Sequence, residues 1–167
     1  MTPPLRIGII GSAEATPAGR QIAHSIGRAL ALSGAVVVCG GGSGVMEAAS
    51  AGASEAGGIV IGFLPGTDPR ARAAGVTIPV ATGLGEMRNG LVVRASEALI
   101  AVEGEWGTLN EAALCMKIGR PLIGIRDGLG DRFSIERFVE PAAAAARALE
   151  LASASRHSGG DAKHMND

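Results

Sequence analysis

Apolar residues occur along the chain in two alternating patterns. Short continuous runs predict strands that are buried on both faces, whereas longer segments with apolar residues every three or four positions predict helices. The runs predict six strands, at residues 5–10, 36–39, 59–64, 76–80, 98–102 and 121–125. The periodic segments predict helices at residues 17–33, 45–56, 86–94 and 109–118, and residues 134–151 are expected to contain a long alanine-rich final helix with an interruption near Pro141.

This alternation predicts one α/β domain, with a doubly wound, Rossmann-like parallel sheet and helices on both faces. A length of 167 residues suits a single domain, which we place at residues 1–152. Residues 153–167 are polar and carry serine, glycine and histidine. We therefore expect them to form a disordered C-terminal tail.

The composition narrows the classes of partner. A net charge of −1 and an aromatic content of 2% give neither an electrostatic nor a stacking reason to expect nucleic acid or an anionic membrane. Cys39 and Cys115 lie in apolar segments, which predicts buried free thiols and a reducing compartment. The sequence has no recognisable signal peptide and no apolar run of about 20 residues. We expect a soluble, cytoplasmic protein.

Two glycine-rich turns carry the first functional signal. Each follows a predicted strand and precedes a predicted helix, one at residues 40–44 and the other at residues 104–107, before a helix start at Thr108. Because helix N-termini present unpaired N–H groups, these turns predict binding of a phosphorylated ligand. The alternative is that the glycines only allow tight turns. The predicted phosphate-binding residues are Gly11, Ser12, Gly40, Gly41, Gly42, Ser43, Gly44, Gly104, Gly107 and Thr108.

Familiar nucleotide motifs fit less well. The chain has no GxxxxGK[ST] sequence, and the turn after the first strand lacks the spacing typical of dinucleotide binding. The histidines, at 24, 157 and 164, have no spacing that would fix a metal, so no metal site is predicted.

Taken together, several segments resemble the Lonely Guy superfamily, whose members were often labelled lysine decarboxylase-like. The resemblance covers about residues 5–150, and its motifs lie at residues 40–46, 57–62, 87–89 and 107–111. It implies a phosphoribohydrolase that cleaves the N-glycosidic bond of cytokinin nucleoside 5′-monophosphates or of AMP. Of the PGGxGTxxE signature, the chain keeps Gly104, Gly107, Thr108 and Glu111, and Arg88 matches the upstream arginine.

Three departures from that signature indicate a sister branch. Glu103 replaces the proline, Glu105 replaces the second glycine, and Asn89 stands where the enzymes usually carry lysine. With Trp106, these residues are closer to the molybdenum cofactor carrier proteins, which bind a phosphorylated pterin. The resemblance implies the molybdenum cofactor as bound ligand, with no cofactor required for a reaction. It also implies a homodimer or homotetramer with the site near a subunit boundary.

The candidate site side chains each have a second interpretation. Glu111 could activate water or stabilise a positively charged ribose, but Thr108 and Glu111 also have the spacing of a capping box. Arg88 could orient Glu111 or bind phosphate, or it could be a solvated helix arginine or part of a subunit salt bridge. Trp106 could flank a ligand ring or pack under the glycine turn.

The sequence therefore favours a binding protein for a phosphorylated nucleotide-like or pterin ligand. The alternative is a nucleoside 5′-monophosphate phosphoribohydrolase with Glu111 and Arg88 as catalytic residues.

Overall fold

The computed structural model describes residues 1–126 and 128–158. The strands are β1 (Arg6–Ile10), β2 (Val36–Cys39), β3 (Val60–Leu64), β4 (Ile78–Ala81), β5 (Ala98–Ala101), β6 (Leu122–Ile125) and β7 (Arg137–Phe138). The helices are α1 (Pro17–Leu32), α2 (Val45–Glu55), α3 (Asn89–Ala95), α4 (Trp106–Ile118) and α5 (Pro141–Ser158). Short 3₁₀ helices span Pro69–Ala71, Gly85–Arg88 and Gly130–Arg132.

All seven strands are parallel and lie in the order β4-β3-β2-β1-β5-β6-β7. The chain builds one half of the sheet outward from β1 and then returns, so that β5 pairs with the other side of β1. Buried residues of α1, α2 and α5 pack on one face of the sheet, and those of α3 and α4 pack on the other. The predicted doubly wound α/β fold is confirmed.

The N-cap residue, the first-turn proline and the spacing of apolar residues explain why α1 is a helix. The Thr16 hydroxyl accepts a hydrogen bond from the Gly19 N–H, and Pro17 suits the first helical position because it needs no N–H there. Ile22, Ile26 and Leu30 lie one turn apart and are buried against the sheet.

Helices α1 and α2 approach each other closely because glycine stands where they meet. A Cβ atom built on Gly27 would overlap the Ala49 carbonyl group, and one built on Gly52 would overlap that of His24. The small-residue composition of α2 thus serves helix packing.

Three parts of the predicted secondary structure needed correction. The segment predicted as one helix at residues 86–94 is a 3₁₀ helix followed by α3. Within residues 134–151, where the sequence predicted a final helix with an interruption near Pro141, the helix begins at Pro141, because β7 precedes it; a strand of two residues is too short to give a pattern. Helix α5 also continues through residues 153–158, which the sequence assigned to the tail, and residues 159–167 lie outside the described residues.

A network of hydrogen bonds explains why α5 extends so far. The Arg156 guanidinium donates to the Pro3 carbonyl at 2.6 Å, to the Pro4 carbonyl at 2.7 Å and to both carboxylate oxygens of Glu97, with 2.8 Å between Nη2 and Oε2. The Arg6 backbone N–H donates to the same carboxylate at 2.7 Å. The end of α5 is therefore held to the N-terminus and to the start of β5.

We expect Glu97→Gln to lower the free energy of unfolding by about 1–3 kcal/mol, because it removes one partner of a charged, mostly buried hydrogen-bond group. Burial alone would raise the pKa of Glu97, but the hydrogen bonds from Arg156 and Arg6 and their charges outweigh it, so that the pKa lies below its ordinary value. The contribution is therefore full above the ordinary glutamate pKa and is lost as the pH falls through the lower, folded-state value.

Urea unfolding between pH 3 and pH 8 checks this expectation. Glu136→Gln is the control, because Glu136 pairs with Arg147 on the surface, where an ion pair contributes little. Equal effects of the two substitutions at pH 7 would contradict the role assigned to Glu97.

Candidate functional site

The candidate site lies at the carboxyl edge of the sheet, where β1 and β5 are neighbours. After β1 the chain continues to α1, and after β5 it continues to α4. Between these two connecting segments, the Ser12 N–H donates a hydrogen bond to the Glu103 carbonyl at 2.9 Å. In doubly wound folds, such a switch in strand order leaves a crevice outside the strand ends where ligands bind.

A cavity of about 260 Å³ occupies this crevice. We call it the switch-point cavity. Its lining residues come from the ends of β1, β2 and β3, from the beginning of α2, from the segment before α3, and from the beginning and first turns of α4. They are Ile9, Ile10, Gly11, Ser12, Ala13, Gly40, Met46, Pro65, Glu86, Arg88, Asn89, Glu105, Gly107, Thr108 and Glu111.

The structure brings together seven of the thirteen predicted site residues in this cavity: Gly11, Ser12, Gly40, Arg88, Gly107, Thr108 and Glu111. The other six lie outside its lining: Gly41, Gly42, Ser43, Gly44, Gly104 and Trp106. Gly104 instead lines a second cavity, together with Glu103.

The glycine turn before α2 packs mainly against the loop after β1. The Val45 N–H donates to the Ser12 carbonyl at 3.0 Å, and the Ser43 hydroxyl donates to the Ala13 carbonyl at 3.1 Å. A Cβ atom on Gly44, whose φ is +66°, would overlap the same two carbonyl groups. The protein itself therefore supplies an acceptor to the first N–H of α2.

The second glycine turn leads into α4, which begins at Trp106 and not at Thr108. Glu105 is the N-cap residue, and no side chain caps the helix. The capping-box interpretation of Thr108 and Glu111 is therefore wrong, because both residues lie inside the helix. Residues 106–108 occupy the first turn, where backbone N–H groups have no acceptor within the helix. Gly107 and Thr108 line the switch-point cavity, so these donors are available at its edge.

Trp106 does not pack under the turn as one interpretation supposed. Its side chain is 86% exposed, and Leu84 and Met87 are also exposed, at 50% and 80%. Contact of the indole with a ligand ring stays a prediction.

Arg88 is the cation of the cavity. It ends the 3₁₀ helix before α3, its Nη1 donates to the Asn89 side-chain carbonyl, and its Nε is buried without a hydrogen-bond partner in the described structure. A Cβ atom on residue 40 would lie 2.7 Å from the guanidinium carbon, so glycine at this position leaves room for the arginine. A buried donor without an acceptor is rare in proteins and points to a partner that binds there.

Glu111 is the buried acid of the cavity. It lies in the second turn of α4 and is 6% exposed. Burial raises the pKa of its carboxyl group to about 7, and the Arg88 charge offsets only part of this rise. Near neutral pH it can therefore either accept or donate a proton.

The sequence did not single out several lining residues. Met46 matches a core position at helical spacing, and Pro65 and Glu86 lie in segments without a recognisable motif. Asn89 and Glu105 were visible as departures from the signature, but only the fold places them against the cavity. Among residues 1–126 and 128–158, no cluster of three or more metal-ligating side chains is found. No helix in the same residues is long and apolar enough to span a membrane.

Fold and site together define a doubly wound α/β protein with a solvent-open cavity of mixed charge at its topological switch point. The chain belongs to the SLOG cluster4 family, whose model matches residues 4–155. The resemblance to the Lonely Guy superfamily, close to its molybdenum cofactor carrier branch, is confirmed.

Three proteins illustrate this relationship. An uncharacterized protein from Archaeoglobus fulgidus is 36% identical over 122 residues, which are 73% of this chain and 80% of the relative. The molybdenum cofactor binding protein from Rippkaea orientalis superimposes with a TM-score of 0.80 and 32% identity, covering 92% of this chain and 98% of the other. The molybdenum cofactor carrier protein from Chlamydomonas reinhardtii has a TM-score of 0.80 and 31% identity, with coverages of 90% and 99%.

A more distant likeness shows the fold alone. DNA processing protein A from Helicobacter pylori superimposes with a TM-score of 0.70 at 22% identity, covering 88% of this chain and 81% of that protein. The expectation that this chain has no nucleic-acid partner stays a prediction.

We expect Glu111→Gln to stabilise the protein at pH 8 by about 3 kcal/mol at most, because the wild-type carboxylate must ionise in a buried site. A pKa raised from 4.5 to about 7 means that this cost is absent below pH 4.5 and complete above pH 7. Urea unfolding at pH 5 and pH 8 measures the difference. Glu140→Gln is the control, because Glu140 is exposed. If the free energy of unfolding changed equally between pH 5 and pH 8 in the wild type and in Glu111→Gln, the raised pKa would be contradicted.

Proposed function

We propose that the protein binds the molybdenum cofactor, or a closely similar phosphorylated pterin, in the switch-point cavity. The observation that carries this proposal is the unpaired, buried Nε of Arg88 in a cavity that also meets the open N-terminus of α4. A phosphate group provides the acceptors that both features lack. A volume of about 260 Å³ is slightly below the range of about 300–1,000 Å³ typical of small-molecule sites.

The remaining lining residues suit the pterin end of such a ligand. Glu86, Glu105 and Glu111 bring carboxyl groups to the cavity, and ionised carboxylates only accept hydrogen bonds. The pyrimidine edge of a pterin carries adjacent N–H donors, which match a carboxylate. The adenine ring presents a single amino group between ring acceptors and matches less well. A site with one cation and several acids therefore favours a ligand with one phosphate and a ring rich in donors.

The similarity to two molybdenum cofactor carrier or binding proteins, at about 31–32% identity over nine tenths of the chain, supports the same ligand class. We also propose that the protein forms a homodimer or homotetramer and is located in the cytoplasm.

We expect Arg88→Gln to weaken binding of the molybdenum cofactor, and of a fluorescent 6-hydroxymethylpterin monophosphate, by about 10- to 100-fold, because it removes the charged donors to phosphate. Fluorescence titration and ligand-dependent thermal stabilisation measure the effect. Arg94→Gln is the matched control, since Arg94 is exposed on α3 and lies outside the cavity lining. Equal affinities of the two variants would contradict the assigned phosphate contact, and a wild type that binds neither probe would overturn the proposal.

The second candidate function is hydrolysis of a nucleoside 5′-monophosphate. The specific observation in its favour is Glu111, a buried acid with a pKa near 7 in the same cavity as Arg88, where it could take a proton from water. Glu103, Glu105 and Asn89 count against it, because they alter the enzyme signature around that acid.

Incubation with AMP and with isopentenyladenosine monophosphate distinguishes the two functions. Under our first proposal, no free base appears above the uncatalysed rate at pH 6, 7 or 8. Base release that is lost in Glu111→Gln, and that rises with pH through about 7 as the carboxylate ionises, would replace the carrier function by the hydrolase. Glu140→Gln controls for the change of charge.

A further inference from the structure

Asn89 is the first residue of α3, and it lies on the wall of the switch-point cavity directly after Arg88. It is buried, with 7% of its surface exposed. The Arg88 Nη1 donates a hydrogen bond to the Asn89 side chain. Because a guanidinium group can only donate, the atom that faces it must be the carbonyl oxygen of the Asn89 amide. This contact therefore turns the amide nitrogen of Asn89 away from the arginine.

The amide nitrogen of Asn89 faces the first turn of α4. A Cβ atom built on Gly107 would lie 3.9 Å from the Asn89 Nδ2 and, apart from its own neighbours in the helix, would meet no other described atom within 4 Å. Because Gly107 has no side chain, the space between the amide and the beginning of α4 stays open. Both residues line the switch-point cavity, so a ligand in that cavity can reach this space.

The NH₂ group of Asn89 has no acceptor among the described residues. The neighbouring Arg88 Nε is also buried without a partner there, and the backbone N–H groups in the first turn of α4 have no acceptor within the helix. Buried polar groups are nearly always hydrogen-bonded in proteins. Three kinds of donor thus converge on one cavity, and a tetrahedral phosphate has enough acceptor oxygens for all of them.

Only one of these donors carries a full charge. Arg88 is the one basic residue among those that line the switch-point cavity, and Asn89 adds donors without adding a cation. Three acidic residues line the cavity as well: Glu86, Glu105 and Glu111. A phosphate monoester carries a charge of about −1.5 to −2 at pH 7, and a terminal diphosphate carries about one negative charge more. That additional charge would meet the carboxylates with no second cation to offset it.

We propose that Asn89 is a specificity-determining residue of the switch-point cavity. Its amide, oriented by Arg88, donates to a phosphate oxygen in the space beside Gly107. Because the amide is neutral, the cavity selects a phosphate monoester over a diphosphate. This inference rests on the proposed function for the phosphorylated nature of the ligand, but it does not depend on the ring that the phosphate is attached to.

Nuclear magnetic resonance tests the contact directly, because the sequence has only three asparagines, at positions 89, 110 and 166, and one glutamine, at position 21. Adding 6-hydroxymethylpterin monophosphate to nitrogen-15-labelled protein should move the Asn89 side-chain amide signals downfield and couple an amide proton to the phosphorus nucleus. Absence of these signals in Asn89→Leu identifies them. Asn110 is the internal control, since it is exposed on α4 and lies outside the cavity lining. Asn89 signals that stay unchanged at saturating pterin monophosphate overturn the proposal.

Fluorescence titrations with 6-hydroxymethylpterin monophosphate and diphosphate measure the selectivity. We expect the wild type to bind the monophosphate more tightly, and we expect Asn89→Lys to reduce this preference by about 10-fold, because it adds a second cation. Asn110→Lys makes the same change of charge outside the cavity lining and should leave the preference unchanged. A wild type that prefers the diphosphate, or an equal preference in the wild type and Asn89→Lys, overturns the proposal.

Gly107→Ala keeps the test decisive if variants of Asn89 are poorly stable. The new methyl group would lie at an ordinary contact distance from the amide, so we expect no fall in melting temperature, but it occupies the space beside the amide. The affinity for the monophosphate should therefore fall by about 10-fold or more. Gly90→Ala is the matched control, because a Cβ atom there would lie 3.9 Å from Leu114 and Gly90 lies outside the cavity lining. Equal affinities of these two variants would contradict a phosphate beside Gly107.

The same titrations, repeated with AMP, separate this inference from the proposed function. If the pterin monophosphate does not bind but AMP moves the Asn89 amide signals, the proposed ligand is wrong and the role of Asn89 stands. If the pterin monophosphate binds and the Asn89 signals stay unchanged, the role of Asn89 is wrong and the proposed function stands. If neither compound binds, both are overturned.

Discussion

The pairing of β1 with β5 is the constraint on which the rest of the structure depends. Parallel strands require crossover connections, so every helix that follows a strand begins at the same edge of the sheet. At the switch in strand order, the helices that follow β1 and β5 leave in different directions, and a crevice opens between them. Helix beginnings carry backbone N–H groups with no acceptor in the helix. The position of the candidate site depends on which acceptor each of these N–H groups has.

At this edge, the N-termini of three helices have different surroundings. Helix α1 receives the Glu103 carboxylate, and α2 receives the Ser12 carbonyl oxygen. Helix α4 receives no side-chain cap, and its first turn lies against the switch-point cavity. The two glycine-rich turns look alike in the sequence, yet the Ser12 carbonyl accepts from the first N–H of α2, whereas the first turn of α4 lies against the switch-point cavity.

The charged side chains beside these N–H donors lower the free energy of unfolding of the protein without ligand. Arg88 has a buried Nε without a partner, and Glu111 has a pKa raised by burial. Both features reduce stability. Under the proposed function, a phosphate oxygen would accept from the Arg88 Nε and the ring N–H groups would donate to the Glu111 carboxylate, so binding would offset both costs. Perturbed titratable groups that converge in a cleft are typical of functional sites. By contrast, Glu97 and Arg156 satisfy one another and hold the chain ends together.

The sequence by itself determined the fold class and the strands β1 to β6, because hydrophobic periodicity and turn chemistry are local. Arg88 and Glu111 were singled out by their match to a family signature. Only the tertiary structure decided which residues of the two turns line the switch-point cavity and where Glu103 points. It also decided that α5 continues to Ser158. The physical reason is distance along the chain: Thr16 meets Glu103 across 87 residues, and Glu97 meets Arg156 across 59. No local sequence pattern predicts such contacts, because they form only when the order of the strands brings distant segments together.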